Sequence, residues 1–145
     1  MDVPDTRRIL ETMQAFAVVG LSPKPHRDSN MVARFLQEHG YRVIPVYPRE
    51  DSILGEKCYS SLRDIPGRVD VVDLFRRSEA VPPFVDDAIA IGAKVIWMQL
   101  GVVHEEAAEK ARRAGLQVVM DRCPVIEYRR HFGSSGSAAP PSHTS

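Results

Sequence analysis

Basic side chains cluster in the three segments that follow the first three apolar stretches of the chain. Lys24 and Arg27 follow the first stretch, Arg49 follows the second, and Arg76 and Arg77 follow the third. Cationic side chains, hydroxyls and the free amide hydrogens of a helix start are the groups that bind phosphate in proteins. The sequence therefore indicates a site for a phosphate-bearing ligand.

The first of these segments, residues 20–29, has the composition of a phosphate-binding turn. Gly20 ends an apolar stretch, Ser22 offers a hydroxyl, and Lys24 offers a cation before a helical pattern begins. The segment lacks both the GxGxxG pattern of nicotinamide-binding enzymes and the GxxxxGK[ST] pattern of ATP-binding loops, and Pro23 stiffens it. It therefore favours a phosphate group and weakens the case for NAD or ATP.

The second and third segments add further candidates. Tyr47, Pro48 and Arg49 stand where an NAD site usually has an acidic residue for the ribose hydroxyls, whereas an arginine suits an additional ribose phosphate. Phe75 places an aromatic ring beside Arg76. An NADP-dependent oxidoreductase is therefore one alternative function, with Arg49 on the 2′-phosphate.

Neither the cysteines nor the histidines form a recognised catalytic or metal-binding pattern. Cys58 and Cys123 are far apart and fit neither CxxC nor a zinc spacing, and an inert thiol is the commoner role of a lone cysteine. No HExxH or HxH spacing occurs among the histidines His26, His39, His104 and His131. We predict no catalytic residue and no metal site.

The composition is that of an ordinary globular domain. The chain has 145 residues, 43% of them hydrophobic and 26% charged, and 19 basic residues balance 19 acidic ones. A net charge of zero argues against a nucleic-acid or membrane-surface partner, because both need a positive excess. The charged start of the chain and its short apolar runs match neither a signal peptide nor a membrane span. We therefore expect a cytoplasmic protein.

Five apolar stretches alternate with amphipathic patterns. The stretches read as nearly continuous hydrophobic runs, which is typical of parallel strands covered on both faces: residues 16–19, 41–46, 69–75, 94–99 and 117–120. The helical patterns have an apolar stripe and end signals: residues 5–14, 29–39, 82–92, 105–114 and 125–132. The sequence predicts a single α/β domain over residues 1–132, with a doubly wound parallel five-stranded sheet and helices on both faces.

Two segments fall outside this alternation. Residues 51–66 form a long connection with one short helical turn near residues 61–65. Residues 133–145 contain only small and polar residue types with proline, so we predict a disordered C-terminal tail.

Trp97 lies inside a strand and is expected to pack in the core. In doubly wound sheets ligands bind beyond the carboxyl ends of the strands, so the site is expected in the loops there.

Several segments taken together resemble the stand-alone CoA-binding proteins, whose Rossmann-like domain is similar to the N-terminal domain of the succinyl-CoA synthetase alpha subunit. The resemblance covers residues 16–128 and is carried by AFAVVGLSPKPHRDSN, YRVIPVYPR, ILGEKCYSSLRDIP, VDVVDLFRRSEAVP, AIGAKVIWMQLGV and AGLQVVMDRCPVIEY. Each segment alone is weak, but the combination is specific.

The resemblance implies coenzyme A as the ligand and assigns residues to its parts. It places Gly20, Ser22, Pro23 and Lys24 near the nucleotide phosphates, with Ser22 donating a hydrogen bond. It places Tyr47, Pro48 and Arg49 beside the adenosine ribose phosphate, and Phe75 and Arg76 beside the adenine or pyrophosphate. Met98, Gln99 and Leu100 fall on the pantetheine side.

The larger synthetase carries its phosphorylated histidine in a second domain and works with a nucleotide-grasp subunit, and this chain ends shortly after the CoA-binding region. The resemblance therefore implies non-catalytic binding of CoA or an acyl-CoA. A covalent alternative stays open, in which CoA is joined to Cys58 or Cys123 by a disulfide.

Overall fold

The computed structural model describes residues 4–133, so the predicted tail lies almost wholly outside the described residues. The helices are α1 Thr6–Thr12, α2 Asp28–Glu38, α3 Val81–Ala90, α4 Glu105–Arg113 and α5 Pro124–Phe132. The strands are β1 Ala15–Val19, β2 Arg42–Val46, β3 Ser52–Ile53, β4 Glu56–Lys57, β5 Val71–Leu74, β6 Val95–Met98 and β7 Gln117–Val119.

Five strands form one parallel sheet in the order β2-β1-β5-β6-β7. The chain winds from β1 outward to β2 through α2, and then returns to place β5 on the other side of β1. The winding direction therefore reverses between β1 and β5, and the crevice at their carboxyl ends is where doubly wound folds bind ligands. The predicted Rossmann-like α/β architecture is confirmed.

Alternate residues of each strand face opposite layers of helices. Phe16 and Val18 of β1 pack in the cluster that contains residues of α1, α2 and α5. Ala17 and Val19 pack in the cluster that contains residues of α3 and α4. Because both faces are covered, both sets of side chains must be apolar, which explains the continuous hydrophobic runs. Trp97 is completely buried, as predicted.

Polar side chains fix several helix starts. The Asp5 carboxylate accepts a hydrogen bond from the Arg8 backbone N–H at 3.1 Å, and His104 Nδ1 accepts one from the Ala107 N–H at 3.1 Å. Both bonds satisfy amide hydrogens that have no partner within their helix. At α3, Pro82 occupies the first turn, where no amide hydrogen is needed. Local sequence therefore determines where these helices begin.

The connection from β2 to β5 contains a small antiparallel hairpin that the sequence analysis did not predict. Strands β3 and β4 are joined by Leu54 and Gly55, which both have positive φ angles, of 54° and 77°. Two such residues make the type of tight turn that suits a hairpin. Past β4, the Tyr59 N–H donates to the Pro45 carbonyl and the Tyr47 N–H donates to the Tyr59 carbonyl, each at 3.0 Å. This segment therefore lies along the outer side of β2.

The predicted short helical turn is present as a single 3-10 turn at Leu62–Asp64. Ser61 caps it, because its hydroxyl accepts a hydrogen bond from the Arg63 N–H at 3.2 Å. Within the part of the chain that the structure describes, no helix is long and apolar enough to span a bilayer.

Candidate functional site

A cleft of about 780 Å³ opens at the carboxyl edge of the sheet, beyond β5 and β6 and between α2 and α5. This volume lies within the range of about 300–1,000 Å³ that is usual for small-molecule sites. Its walls are mainly apolar and aromatic, with Val32, Phe35, Phe75, Val102 and Val125 among the residues that line it. Such a cleft suits a ligand that has an uncharged portion.

Three apolar side chains stand exposed around this cleft. Met31 on α2, Leu100 after β6 and Ile126 on α5 are 46%, 57% and 52% exposed, and all three line the cleft. Large apolar side chains gathered at a cavity indicate a binding surface more strongly than the same residues scattered over a protein.

Gly20 brings the loops after β1 and β5 into close contact at the point where the winding reverses. It has a φ angle of 83°, and a Cβ atom added there would lie 2.5 Å from the carbonyl oxygen of Phe75. The Gly20 N–H donates to the Val46 carbonyl at 3.0 Å, and the Phe75 N–H donates to the Val19 carbonyl at 2.9 Å. The ends of β1, β2 and β5 are thus held together around one glycine.

The loop after β1 is organised by hydrogen bonds from its own side chains. The Ser22 hydroxyl accepts from the Lys24 N–H at 3.1 Å, and the Ser29 hydroxyl accepts from the Ser22 N–H at 2.9 Å. Asn30 Nδ2 donates to the Ser22 carbonyl at 2.9 Å. Ser22 therefore shapes the turn, and because its oxygen accepts there, its hydroxyl hydrogen remains able to donate to a ligand.

Several cations at this edge have no acidic partner. Among residues 4–133, the side chains of Lys24, Arg49 and Arg76 form no ion pair. Arg76 lines the cleft and lies over the Phe84 ring at 5.7 Å, whereas Arg77 pairs with Glu79 at 3.6 Å. Unpaired cations are the ones whose charge is available to an anionic ligand.

The loops after β5, β6 and β7 are tied to one another beneath the cleft. The Ser78 hydroxyl accepts a hydrogen bond from the Val103 N–H at 2.9 Å and donates to the Gly101 carbonyl at 3.3 Å. The Asp121 carboxylate accepts from the Gly101 N–H at 2.7 Å. These bonds hold the three loops in one arrangement.

Gln99 carries a buried acceptor without a partner. Its Nε2 donates to the Arg122 carbonyl at 3.1 Å, and Trp97 Nε1 donates to the same carbonyl at 2.9 Å. Gln99 is only 4% exposed and lines the cleft, and its Oε1 has no hydrogen-bond partner among the described residues. A buried amide oxygen without a donor costs about 1–3 kcal/mol, so Gln99 is held in place by its Nε2 bond alone.

Asp73 is the second buried polar group without a partner in this region. It lies in β5 between Val18 and Trp97, is completely buried, and neither carboxyl oxygen has a partner among the described residues. Burial raises its pKa well above the usual value, so the carboxyl is held in its neutral form.

Cys123 is the half-buried N-cap residue of α5 and lines the cleft. Burial raises the pKa of its thiol, the N–H groups of Ile126 and Val125 at the start of α5 oppose that rise, and the negative charge of Asp28 adds to it. Cys58 is also buried and does not line this cleft. Within residues 4–133, no three His, Cys, Asp or Glu side chains gather in a way that could hold a metal ion.

The structure brings together only part of the predicted site. Four of the predicted residues line the cleft: Phe75, Arg76, Gln99 and Leu100. The loop that contains Ser22, Pro23 and Lys24 lies next to them, because Gly20 contacts Phe75. Tyr47, Pro48 and Arg49 follow β2, on the far side of β1 from the cleft.

Met98 differs from the expectation for the pantetheine side. It is completely buried and packs in the cluster of α3 and α4, so it offers no surface to the cleft. Successive strand residues point to opposite faces, and β6 therefore turns Met98 away and Gln99 toward the cleft.

Sequence reasoning missed the helical walls of the cleft. Asp28, Met31 and Phe35 belong to α2, and Ile126 and Arg129 belong to α5. Arg129 lies over the Phe35 ring at 5.2 Å, which joins the two helices across the cleft. The amphipathic pattern predicted both helices, but it carries no signal for which residues meet above the sheet.

Comparison with known protein families connects this arrangement to one family. The sequence profile described as "CoA binding domain" matches residues 14–129, which include the whole sheet and all of the cleft walls. The chain belongs to the CoA-binding domain family. The resemblance found in the sequence is thereby confirmed.

Relatives of this CoA-binding domain include proteins of similar length. "Uncharacterized protein YneT" of Bacillus subtilis (strain 168) is 43% identical over 124 residues, which cover 86% of this chain and 92% of the relative. The solved structure of a "hypothetical protein from Pyrococcus horikoshii OT3" shares 42% identity with a TM-score of 0.86, covering 92% of this chain and 100% of that one. These likenesses support the fold of the whole described domain.

A more distant relative is part of a larger enzyme. The alpha subunit of ADP-forming acetate–CoA ligase II from Pyrococcus furiosus is 28% identical over 124 residues. The match covers 78% of this chain but only 27% of the ligase subunit. The CoA-binding domain thus corresponds to about a quarter of that subunit.

Proposed function

We propose that this protein binds coenzyme A or an acyl-CoA without catalysing a reaction on it. The observation that carries the proposal is a cleft at the carboxyl edge of the sheet, cationic at Arg76 and apolar along its walls, in a chain of the CoA-binding domain family. Coenzyme A has the matching division, because its nucleotide half is anionic and its pantetheine half is uncharged.

The nucleotide half is assigned to the loops after β1, β2 and β5. Lys24, Arg49 and Arg76 are cations without acidic partners in the described chain, and the Ser22 hydroxyl is able to donate. Pro23 and Lys24 flank the pyrophosphate, and Pro48 and Arg49 lie beside the adenosine 3′-phosphate. An arginine suits that phosphate because its planar group makes paired hydrogen bonds to phosphate oxygens.

The pantetheine half is assigned to the cleft. Phe75 and Val125 supply apolar surface to it. Leu100 and Ile126, both exposed beside the cleft, give further apolar surface to an acyl group.

The absence of catalysis is part of the proposal. In the related acetate–CoA ligase, the region that matches this chain makes up only 27% of the alpha subunit. In the described residues the cleft contains no His, and its one thiol, Cys123, has a pKa raised by burial. General acid–base or nucleophilic chemistry needs such a group poised near neutral pH.

Thermal unfolding in excess ligand tests the proposal. A ligand at a hundred times its Kd adds about 2.7 kcal/mol to the free energy of unfolding, which raises Tm by roughly 5 to 10 °C for a domain of this size. We expect that shift with CoA or acetyl-CoA and a smaller one with dephospho-CoA. A shift with NADP alone would indicate an oxidoreductase instead, and no shift with any CoA compound would contradict the proposal. Comparing CoA with acetyl-CoA shows which form is preferred.

A further inference from the structure

Two helices form the inner part of the cleft, the helix groove, which leads away from the loop after β1. Four residues of α2 line it: Asp28, Met31, Val32 and Phe35. Spacings of three, four and seven place these residues on one face of the helix, along about 10 Å of its length at 1.5 Å per residue. Because α2 begins where the loop after β1 ends, the groove starts at the carboxyl edge of the sheet.

Contacts between α2 and α5 bound the helix groove at its far end. On the α5 side, Val125, Ile126 and Arg129 line it. The Phe35 ring packs edge-on against the Tyr128 ring, with centroids 5.4 Å apart, and the Arg129 guanidinium lies over the Phe35 ring at 5.2 Å. The groove is therefore reached from the sheet edge and ends at Phe35, so it suits a ligand of limited length.

Exposed apolar side chains concentrate in the helix groove and at its entrance. Among residues 4–133, four large apolar side chains are exposed, and three of them line the cleft: Met31, Leu100 and Ile126. They come from three different elements, α2, the loop after β6 and α5. Apolar surface in a concave site is covered favourably by an apolar ligand, at a gain that grows with the area removed from water.

The charges of the cleft indicate which kind of molecule brings that apolar part. Arg76 and Arg77 line the cleft where the loop after β5 forms its edge, and Arg76 has no acidic partner among the described residues. A cationic edge that continues into an apolar groove matches a ligand with an anionic head and a hydrocarbon tail. A second copy of the chain, seated here by a two-fold axis, would bring the same arginines against these.

We propose that the helix groove binds the hydrocarbon chain of a medium-chain acyl-CoA, so that the protein prefers such thioesters to free coenzyme A. The inference rests on the proposed function and names the ligand class within it. The phosphates of the ligand stay at the loops, and the pantetheine arm lies at the sheet edge. The acyl chain contacts Met31 and Ile126, with its methyl end toward Phe35.

Calorimetric titration of the full-length protein with CoA and with acetyl-, hexanoyl-, octanoyl- and dodecanoyl-CoA tests the inference. We expect the affinity to rise about tenfold or more from acetyl-CoA to hexanoyl-CoA, because each buried methylene adds a few-fold. We expect no further rise from octanoyl-CoA to dodecanoyl-CoA, because the groove ends at Phe35. This series uses the wild type alone and so does not depend on the folding of any variant.

A matched pair of variants locates the effect. Ile126→Gln should lower the ratio of hexanoyl-CoA to acetyl-CoA affinity several-fold, because it places an amide where the chain lies. Val103→Gln is the control, since Val103 is also exposed and apolar but does not line the cleft. It should leave the ratio as in the wild type. An equal loss of the ratio in both variants would overturn the assignment to the groove.

Equal affinities for acetyl-CoA and hexanoyl-CoA would overturn the inference while leaving the binding function intact. If none of the CoA compounds binds, the proposed function fails as well. Sedimentation analysis of the wild type and Ile126→Gln identifies the competing occupant. A dimer that this substitution dissociates, together with an affinity that does not depend on chain length, would assign the groove to a second copy of the chain.

Discussion

Arg49 is exposed at the end of β2 and has no acidic partner among the described residues. If it holds the 3′-phosphate, Arg49→Ala removes a charge-assisted hydrogen bond that only CoA can make. We expect about a tenfold loss of affinity for CoA and little change for dephospho-CoA, measured by calorimetry.

Arg42 provides a matched control for this test, because it is also exposed but starts β2 at the opposite edge of the sheet. Arg42→Ala should leave both affinities unchanged. Equal losses for the two ligands in Arg49→Ala would show that Arg49 does not contact the 3′-phosphate.

Asp73 is a buried carboxyl whose pKa is raised by burial, and this has a defined effect on stability. The folded state holds the proton more tightly than the unfolded chain, whose aspartate titrates near about pH 4. The Asp73 contribution is therefore fully present below that pH and is lost as the pH rises toward the folded pKa. We expect Asp73→Asn to flatten the decline of the free energy of unfolding as the pH rises above about 4, as measured by urea denaturation.

Asp64, which is exposed in the 3-10 turn, is the control for Asp73. Asp64→Asn should leave the pH dependence as in the wild type. An unchanged slope in Asp73→Asn would mean that the Asp73 carboxyl is ionised and solvated in the folded protein.

The site was predictable from sequence only where strand ends determine it. Phe75 and Arg76 were found because they follow a buried strand at the carboxyl edge, whereas Gln99 was assigned by the family resemblance. Met98 and Gln99 differ by one position, and the hydrophobic run around them is continuous, so periodicity could not tell which faces the cleft. Cleft residues on α2 and α5 depend on how those helices cross above the sheet, which no local pattern encodes.

At the scale of elements, the contact between the loops after β1 and β5 depends on Gly20. An alanine there would adopt a left-handed backbone at a cost of about 1–2 kcal/mol, and its Cβ would lie 2.5 Å from the Phe75 carbonyl oxygen. We expect Gly20→Ala to lower the free energy of unfolding by more than that amount and to weaken CoA binding, because the two loops must separate.

Gly115 isolates the contribution of the contact. It has a φ angle of 95°, but an added Cβ would meet nothing within 4 Å. Gly115→Ala should therefore show the backbone cost alone, with CoA affinity unchanged, in paired urea-denaturation and calorimetric measurements. If both variants lose the same stability and neither loses affinity, the Gly20 contact has no special role.

Most helices and strands were predicted to within one or two residues, because each combines a clear hydrophobic period with an end signal. The hairpin of β3 and β4 was not, for two physical reasons. Its strands have two residues each, too few to show alternation. Leu54 adopts a positive φ angle, which leucine rarely does, so its residue type gives no sign of the turn. Contacts with β2, which are distant in sequence, determine that segment.

For the whole molecule, a net charge of zero coexists with a local excess of unpaired cations at the carboxyl edge of the sheet. Nineteen basic and nineteen acidic residues cancel, yet Lys24, Arg49 and Arg76 have no acidic partners in the described chain. Exposed charges are screened over about 10 Å at 0.1 M salt. We expect the affinity for CoA to fall about tenfold between 50 mM and 500 mM NaCl.

Pantetheine is the control ligand for this measurement, because it has no phosphate. Its affinity should not fall with salt. A CoA affinity that is also independent of salt would mean that apolar contacts, and not these cations, supply the binding energy.

The segment after β4 has a consequence for how copies of this protein meet. An outer strand with free N–H and carbonyl groups invites pairing with a strand of another chain, and long unprotected edges of this kind lead to aggregation. On β2, Pro45 has no N–H, while its carbonyl and the N–H of Tyr47 are both taken by Tyr59. At the opposite edge, β7 is only three residues long. The segment after β4 therefore protects the β2 edge from pairing with another chain. We expect a proteolytic cut near Gly55 that released this segment to expose β2 and to promote aggregation.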